Sequence, residues 1–141
     1  EADRVDLKPL SIHPYTYTHA HQDDDFLPLM RRLVEYDLII FLTPVYWYSM
    51  SGIMKNFFDR ITDCLKVEKE TGRKLRGMKM AAIACGFDSD ETEGFFVPFQ
   101  NSADYLGMQY LGEVHTWVDE GVVTSEVLER LQQFRSGLEN G

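Results

Sequence analysis

A run of strand length, Asp37-Leu38-Ile39-Ile40-Phe41-Leu42, precedes a segment whose apolar residues recur at helical spacing, Ile53, Met54, Phe57, Phe58, Ile61 and Leu65. No other feature restricts the fold as strongly. A short, almost uninterrupted apolar run is a buried strand, and the residues after it present one helical face. The ten residues between, from Thr43 to Gly52, therefore form the turn at the carboxyl end of a strand. In open α/β sheets, ligands bind at that edge.

The composition of this turn suits a flat ligand. Pro44 fixes its own φ and removes a donor, setting the direction in which the chain leaves the strand. Gly52 allows close backbone approach, and Ser49 or Ser51 can cap the following helix. Between them stand Tyr46, Trp47 and Tyr48. One or two of these rings could fill core beside the strand, but three in succession point to a pocket or an interface.

The rest of the chain repeats the strand-to-helix pattern. Asp3 to Leu10 reads as a short strand ending near Pro9, with Val5, Leu7 and Leu10 on one side. Ser11 to Gln22 is a loop. Its His19 and His21, beside Asp23, Asp24 and Asp25, have the chemistry of metal ligands but no defined ligand spacing, and the aspartates suit a helix start. No metal is expected. A helix over 25–36 turns Phe26, Leu29, Met30, Leu33 and Val34 inward, with Pro28 in its first turn. Lys55 and Arg60 on the central helix are assigned to its solvated face. Glu68 to Gly77 is an exposed connection.

Met78 to Cys85 is apolar enough for a parallel strand buried on both faces. It ends in an acidic, glycine-bounded loop from Gly86 to Gly94. A helix over 95–106, a strand over 113–118 with a structural His115, and a last helix capped by Ser125 complete the chain. That last helix turns Val127, Leu128, Leu131 and Phe134 inward. This alternation predicts a doubly wound parallel sheet in one domain spanning 1–141.

The net charge of −9 over 141 residues argues against nucleic-acid and anionic-membrane partners, since both need basic patches. No run approaches the ~20 apolar residues of a membrane span and no secretory pattern opens the chain, so a cytoplasmic protein is expected. Cys64 and Cys85 lie far apart without a C-x-x-C, which disfavours a disulfide framework or a cluster site.

The run Thr43-Pro-Val-Tyr-Trp-Tyr-Ser-Met-Ser-Gly-Ile-Met-Lys-Asn-Phe-Phe-Asp-Arg60 resembles the flavin-contacting segment of the NAD(P)H-dependent FMN reductases. These belong to the flavodoxin-like superfamily. The resemblance implies a flavodoxin-like doubly wound sheet, with helices on both faces, that begins at the second strand. The first strand, its phosphate loop and the first helix have no counterpart, so the domain is expected to be amino-terminally incomplete. It also implies that Thr43, Pro44, Val45, Tyr46, Trp47, Tyr48, Ser49, Met50, Ser51 and Gly52 border an FMN ring, with Gly86, Phe87 and Asp88 as a second group.

The implied activity is electron transfer from NAD(P)H through FMN to a small-molecule acceptor, a flavin or a quinone. The flavin carries the chemistry, so no side chain is assigned as a general acid, base or nucleophile. The alternatives are a flavodoxin-like electron carrier and a degenerate interaction domain that binds no flavin. A homodimer is expected, joined over an apolar surface of Trp47, Phe95 and Phe96.

Overall fold

A computed structural model describes residues 2–141. The elements run α1 (Phe26–Leu33), β1 (Leu38–Tyr46), β2 (Ser49–Met50), α2 (Gly52–Lys66), α3 (Lys69–Lys74), β3 (Lys79–Gly86), α4 (Val97–Leu106), β4 (Gln109–Trp117) and α5 (Ser125–Asn140). The sheet order is β2-β1-β3-β4. The β1–β3 and β3–β4 pairs are parallel, as expected when helices make the crossovers. β2 is a two-residue antiparallel addition to the end of β1.

The core lies under the face of β1 that carries Ile39, Phe41 and Thr43, all buried. Phe41 meets Phe58 at 4.8 Å and Phe57 at 6.0 Å from α2, and Phe99 of α4 lies 5.3 Å from Phe58. Phe26 of α1 closes the group at 5.3 Å from Phe57. α5 packs along β4. The opposite face of β1 is uncovered: Ile40 is 43% and Leu42 62% exposed. Among the described residues, β1 also has no strand beside it from Leu38 to Pro44 on the side away from β3.

Several elements differ from the sequence reading, each for a local reason. Asp3 to Leu10 is not a strand. No edge pairs with it, and it closes turns of its own, with the Lys8 amide donating to Asp6 Oδ1 and the Leu10 amide to the Leu7 carbonyl. Its Val5, Leu7 and Leu10 still pack on the core. α1 stops at Leu33 because Glu35 and Tyr36 donate to the carbonyls of Arg32 and Leu33, tightening the end into a turn.

The connection after α2 holds a short helix instead of lying free. Gly72 is fixed there because a Cβ would come within 2.2 Å of the Cys64 carbonyl oxygen. β4 begins at Gln109, four residues before the expected Glu113, with an irregular step opposite Met80 and Ala81. Thr124, not Ser125, caps α5 by accepting from the Val127 amide. Of the four residues expected inward on α5, only Val127 is fully buried, and Leu128 is half exposed.

Candidate functional site

The expected turn begins later than its sequence suggested. β1 runs on through Thr43, Pro44, Val45 and Tyr46, and the chain reverses at Trp47 and Tyr48 into β2. Pro44 is tolerated inside a strand because β1 is an edge at that position. Tyr46 pairs with Ser49, so Trp47 and Tyr48 are the two central residues of a tight hairpin turn. Their φ values, 48° and 65°, are those such a turn demands. Asn-Gly is the usual solution, and a Trp-Tyr pair in this conformation is strained.

The base of the hairpin is tied from inside. Thr43 is fully buried, and its hydroxyl accepts the Ser51 amide at 3.0 Å while donating to the Pro44 carbonyl. Ser51 then caps α2 by accepting from the Met54 amide at 3.2 Å. Met50 is 7% exposed and belongs to the core. Thr43 and Met50 therefore shape the turn from below, without side chains open to a ligand. None of the three rings fills core. Tyr46 is 62%, Trp47 92% and Tyr48 73% exposed.

Parallel pairing brings the second loop alongside. Pro44 stands beside Cys85, so Gly86, Phe87 and Asp88 leave β3 at the same sheet edge as the hairpin. Phe87 is 95% exposed, adding a fourth ring to that edge. Gly86 is required by a close approach: a Cβ there would fall 2.5 Å from Cε1 of His115. Gly52 has no such constraint, since a Cβ there meets nothing within 4 Å. Phe95 and Phe96, expected to extend the exposed apolar surface, are 5% and 4% exposed and sit in the core with Phe99.

A groove of about 850 Å³ runs from Val5 and Leu7 along Ile40 and Leu42, and its upper end reaches Pro44, Tyr46 and Ser51. It follows the unpaired edge of β1 and meets the aromatic edge only at its end.

Two features were invisible from the sequence. Arg60, assigned there to the solvated face, is 1% exposed. Its guanidinium donates to Asp63 at 2.6 Å, to Asp24 at 2.5 Å, and to the carbonyls of His13 at 2.9 Å and His21 at 2.7 Å. It also lies 4.8 Å over the Phe26 ring. Burial alone would raise the Asp24 carboxyl. Hydrogen bonds from Arg60 and from the His13 and Phe26 amides outweigh it and hold Asp24 at about 2. His19 Nδ1 meets Asp63 Oδ1 at 2.6 Å and Asp24 accepts from Arg60, so these two of the residues with ligand chemistry clasp the 13–24 loop onto α2. The second feature is His115, whose Nε2 lies 2.9 Å from the Asp88 carbonyl.

The residue arrangement can accept the edge of a flat, conjugated ring: two backbone loops at one sheet edge, with exposed aromatic faces around them. Both cysteines are free, and burial, with Glu68 and Asp63 adding to it, pushes the Cys64 thiol up to about 12, leaving it unreactive.

The profile of the NADPH-dependent FMN reductase family matches residues 1–122. The chain belongs to that family. YwqN of Bacillus subtilis, provisionally named an NAD(P)H-dependent FMN-containing oxidoreductase, is 32% identical over 124 residues, spanning 81% of this chain and 68% of YwqN. Among solved structures, the Trp repressor binding protein of B. subtilis superposes with a TM-score of 0.65 at 24% identity, covering 80% of this chain and 73% of that one. General stress protein 14 of Treponema denticola, solved in complex with FMN, superposes at 0.55 with 17% identity, covering 86% and 74%. These neighbours share the flavodoxin-like fold. The family also makes the chain an oxidoreductase by class.

Proposed function

We propose that this chain binds FMN at the hairpin edge and passes electrons from NAD(P)H to a small-molecule acceptor such as a free flavin or a quinone. One observation carries the reading. The β1–β3 register sets the Tyr46–Ser49 turn and the Gly86–Asp88 loop side by side, under four exposed rings. Backbone of Pro44 to Gly52 would border the flavin ring, and Trp47, Tyr48 and Phe87 would lie against its faces or shelter it from water. When bound, the flavin supplies the hydride and electron chemistry. The protein's part is to position the ring and exclude solvent.

The fit is to the ring. A phosphate wants a glycine-rich nest of amides at a helix start, and residues 2–51 hold no glycine. Thr43, Met50 and Gly52 act through the shape of the turn. In the same reading the exposed rings are covered by a second copy of the chain, giving a homodimer in which each partner roofs part of the other's site.

The test is direct. Purified protein titrated with FMN should quench flavin fluorescence, and the loaded protein should oxidise NADH or NADPH with a quinone or free flavin present. Binding without turnover would favour an electron carrier. No binding would favour an interaction domain without a flavin. A monomeric mass at micromolar concentration would remove the homodimer.

A further inference from the structure

We infer that His115 is a positioning residue for the Gly86–Asp88 loop, and that α5 helps to hold it there; the inference rests on the flavin reading for its functional half only. The geometry assigns the role. His115 stands on β4 opposite Ala84, two residue pairs short of the strand end, and is 4% exposed. Its ring fills the space a side chain at position 86 would take, with 2.5 Å left between Cε1 and a Cβ there. Gly86 is thus a glycine to admit the imidazole.

Beyond that contact the ring reaches the loop. Nε2 meets the Asp88 carbonyl at 2.9 Å. A carbonyl only accepts, so Nε2 carries the hydrogen and donates it. This is a tie from the sheet to the backbone of a loop that otherwise holds itself by the Asp90 amide donating to Asp88 Oδ1.

The imidazole is fixed in turn. It stacks on Trp117 with ring centroids 6.1 Å apart and planes within 25°. Arg130 of α5 places its guanidinium 4.9 Å over the other end of this column, on Trp117. A cation over an indole is the favoured pairing of this kind. The column Arg130–Trp117–His115 therefore connects the last helix, which lies beyond residue 122 where the family match ends, to the loop at the sheet edge. Phe87, held out at 95% exposure between the two anchored residues Gly86 and Asp88, is aimed by this column.

Limited chymotrypsin digestion reads the tie without any flavin. Phe87 is cleavable when its loop opens, and Tyr17, 93% exposed in a distant loop, is an internal control. His115→Phe keeps a ring and removes the donor; His115→Gln keeps an N–H that can reach the carbonyl. Cleavage after Phe87 should rise about tenfold in His115→Phe, the size of one lost hydrogen bond, with cleavage after Tyr17 unchanged. His115→Gln should restore most of the protection. An unchanged Phe87 rate, or an equal rise at both sites, overturns the tie.

FMN titration of the same variants reads the functional half. If the parent binds FMN, His115→Phe should weaken binding about tenfold by the same reasoning, and equal affinity overturns the positioning role while leaving the flavin reading intact. If the parent binds no FMN, the flavin reading falls with the functional half, and digestion still decides the tie.

Discussion

The turn at Tyr46–Ser49 and the loop from His13 to Asp24 both pack around α2, one at its first turn and one along its middle, and they invert each other's chemistry. At the turn, large apolar rings stand in water on a backbone held at positive φ. Under the 13–24 loop, a guanidinium and two carboxylates are buried almost completely. Each arrangement is costly alone. Exposed aromatics in a strained turn gain nothing for stability, whereas a buried Arg60 satisfied by Asp24, Asp63 and two carbonyls binds a loop to a helix. The contrast assigns stability to the charged cluster and leaves the aromatic edge available for a ligand.

Removing the centre of the clasp should give the largest effect. Arg60→Leu leaves Asp24 and Asp63 buried without their cation, and breaking a buried pair in this way costs about 3–5 kcal/mol. Urea unfolding of parent and variant measures it, and a loss below about 1 kcal/mol would mean that the loop is not held through Arg60.

Acid should weaken the same cluster by a smaller amount. Asp24 sits at about 2, against an ordinary 3.8. A depressed carboxyl contributes stability above the unfolded value and loses it as pH falls through the folded one. Roughly 2 kcal/mol should therefore disappear between about pH 4 and pH 2. Unfolding free energies of the parent and of Asp24→Asn, followed over that window, should converge at the acid end. Parallel curves would refute the assignment.

The turn should give the smallest stability change and of opposite sign. Trp47→Gly removes a ring that is 92% exposed and relieves a φ of 48°. The flavin-free protein should unfold at the same point or gain up to about 1 kcal/mol, while FMN binding, where the parent shows it, weakens. A clear loss of stability without loss of affinity would make the turn structural and erase the contrast.

The sequence was informative where period and composition act locally. The apolar runs around Phe41 and Met80, the helical face of Met54, Phe57 and Ile61, and the carboxyl-edge position of both loops follow from local pattern, and the structure has them there. Two misreadings share one cause, dependence on partners far along the chain. Arg60 looked solvated because its carboxylates lie on another segment and only tertiary contact brings Asp24 to it. Asp3–Leu10 has the apolar alternation of a strand, but a strand needs an edge, which no local pattern reveals. A third is local: Phe95 and Phe96 are expected on an exposed rim, whereas packing with nearby Phe99 buries both. The hydrogen bonds of the Thr43 hydroxyl and the His115 ring were not legible in a single sequence, since only the folded backbone brings Ser51 and Pro44 to the one and Asp88 to the other.

Among the described residues, the side of β1 away from β3 is unpaired from Leu38 to Pro44, and this bears on the handling of a chain of this extent. Backbone groups in an extended row, next to half-exposed Ile40 and Leu42, are a template on which another extended chain can build. Their register is weakly specified, because no covering layer selects which side chains face inward. Association through this margin would be indiscriminate in partner and would grow with concentration. Dilution, and not a change in the aromatic turn, is the remedy that the geometry recommends for turbidity.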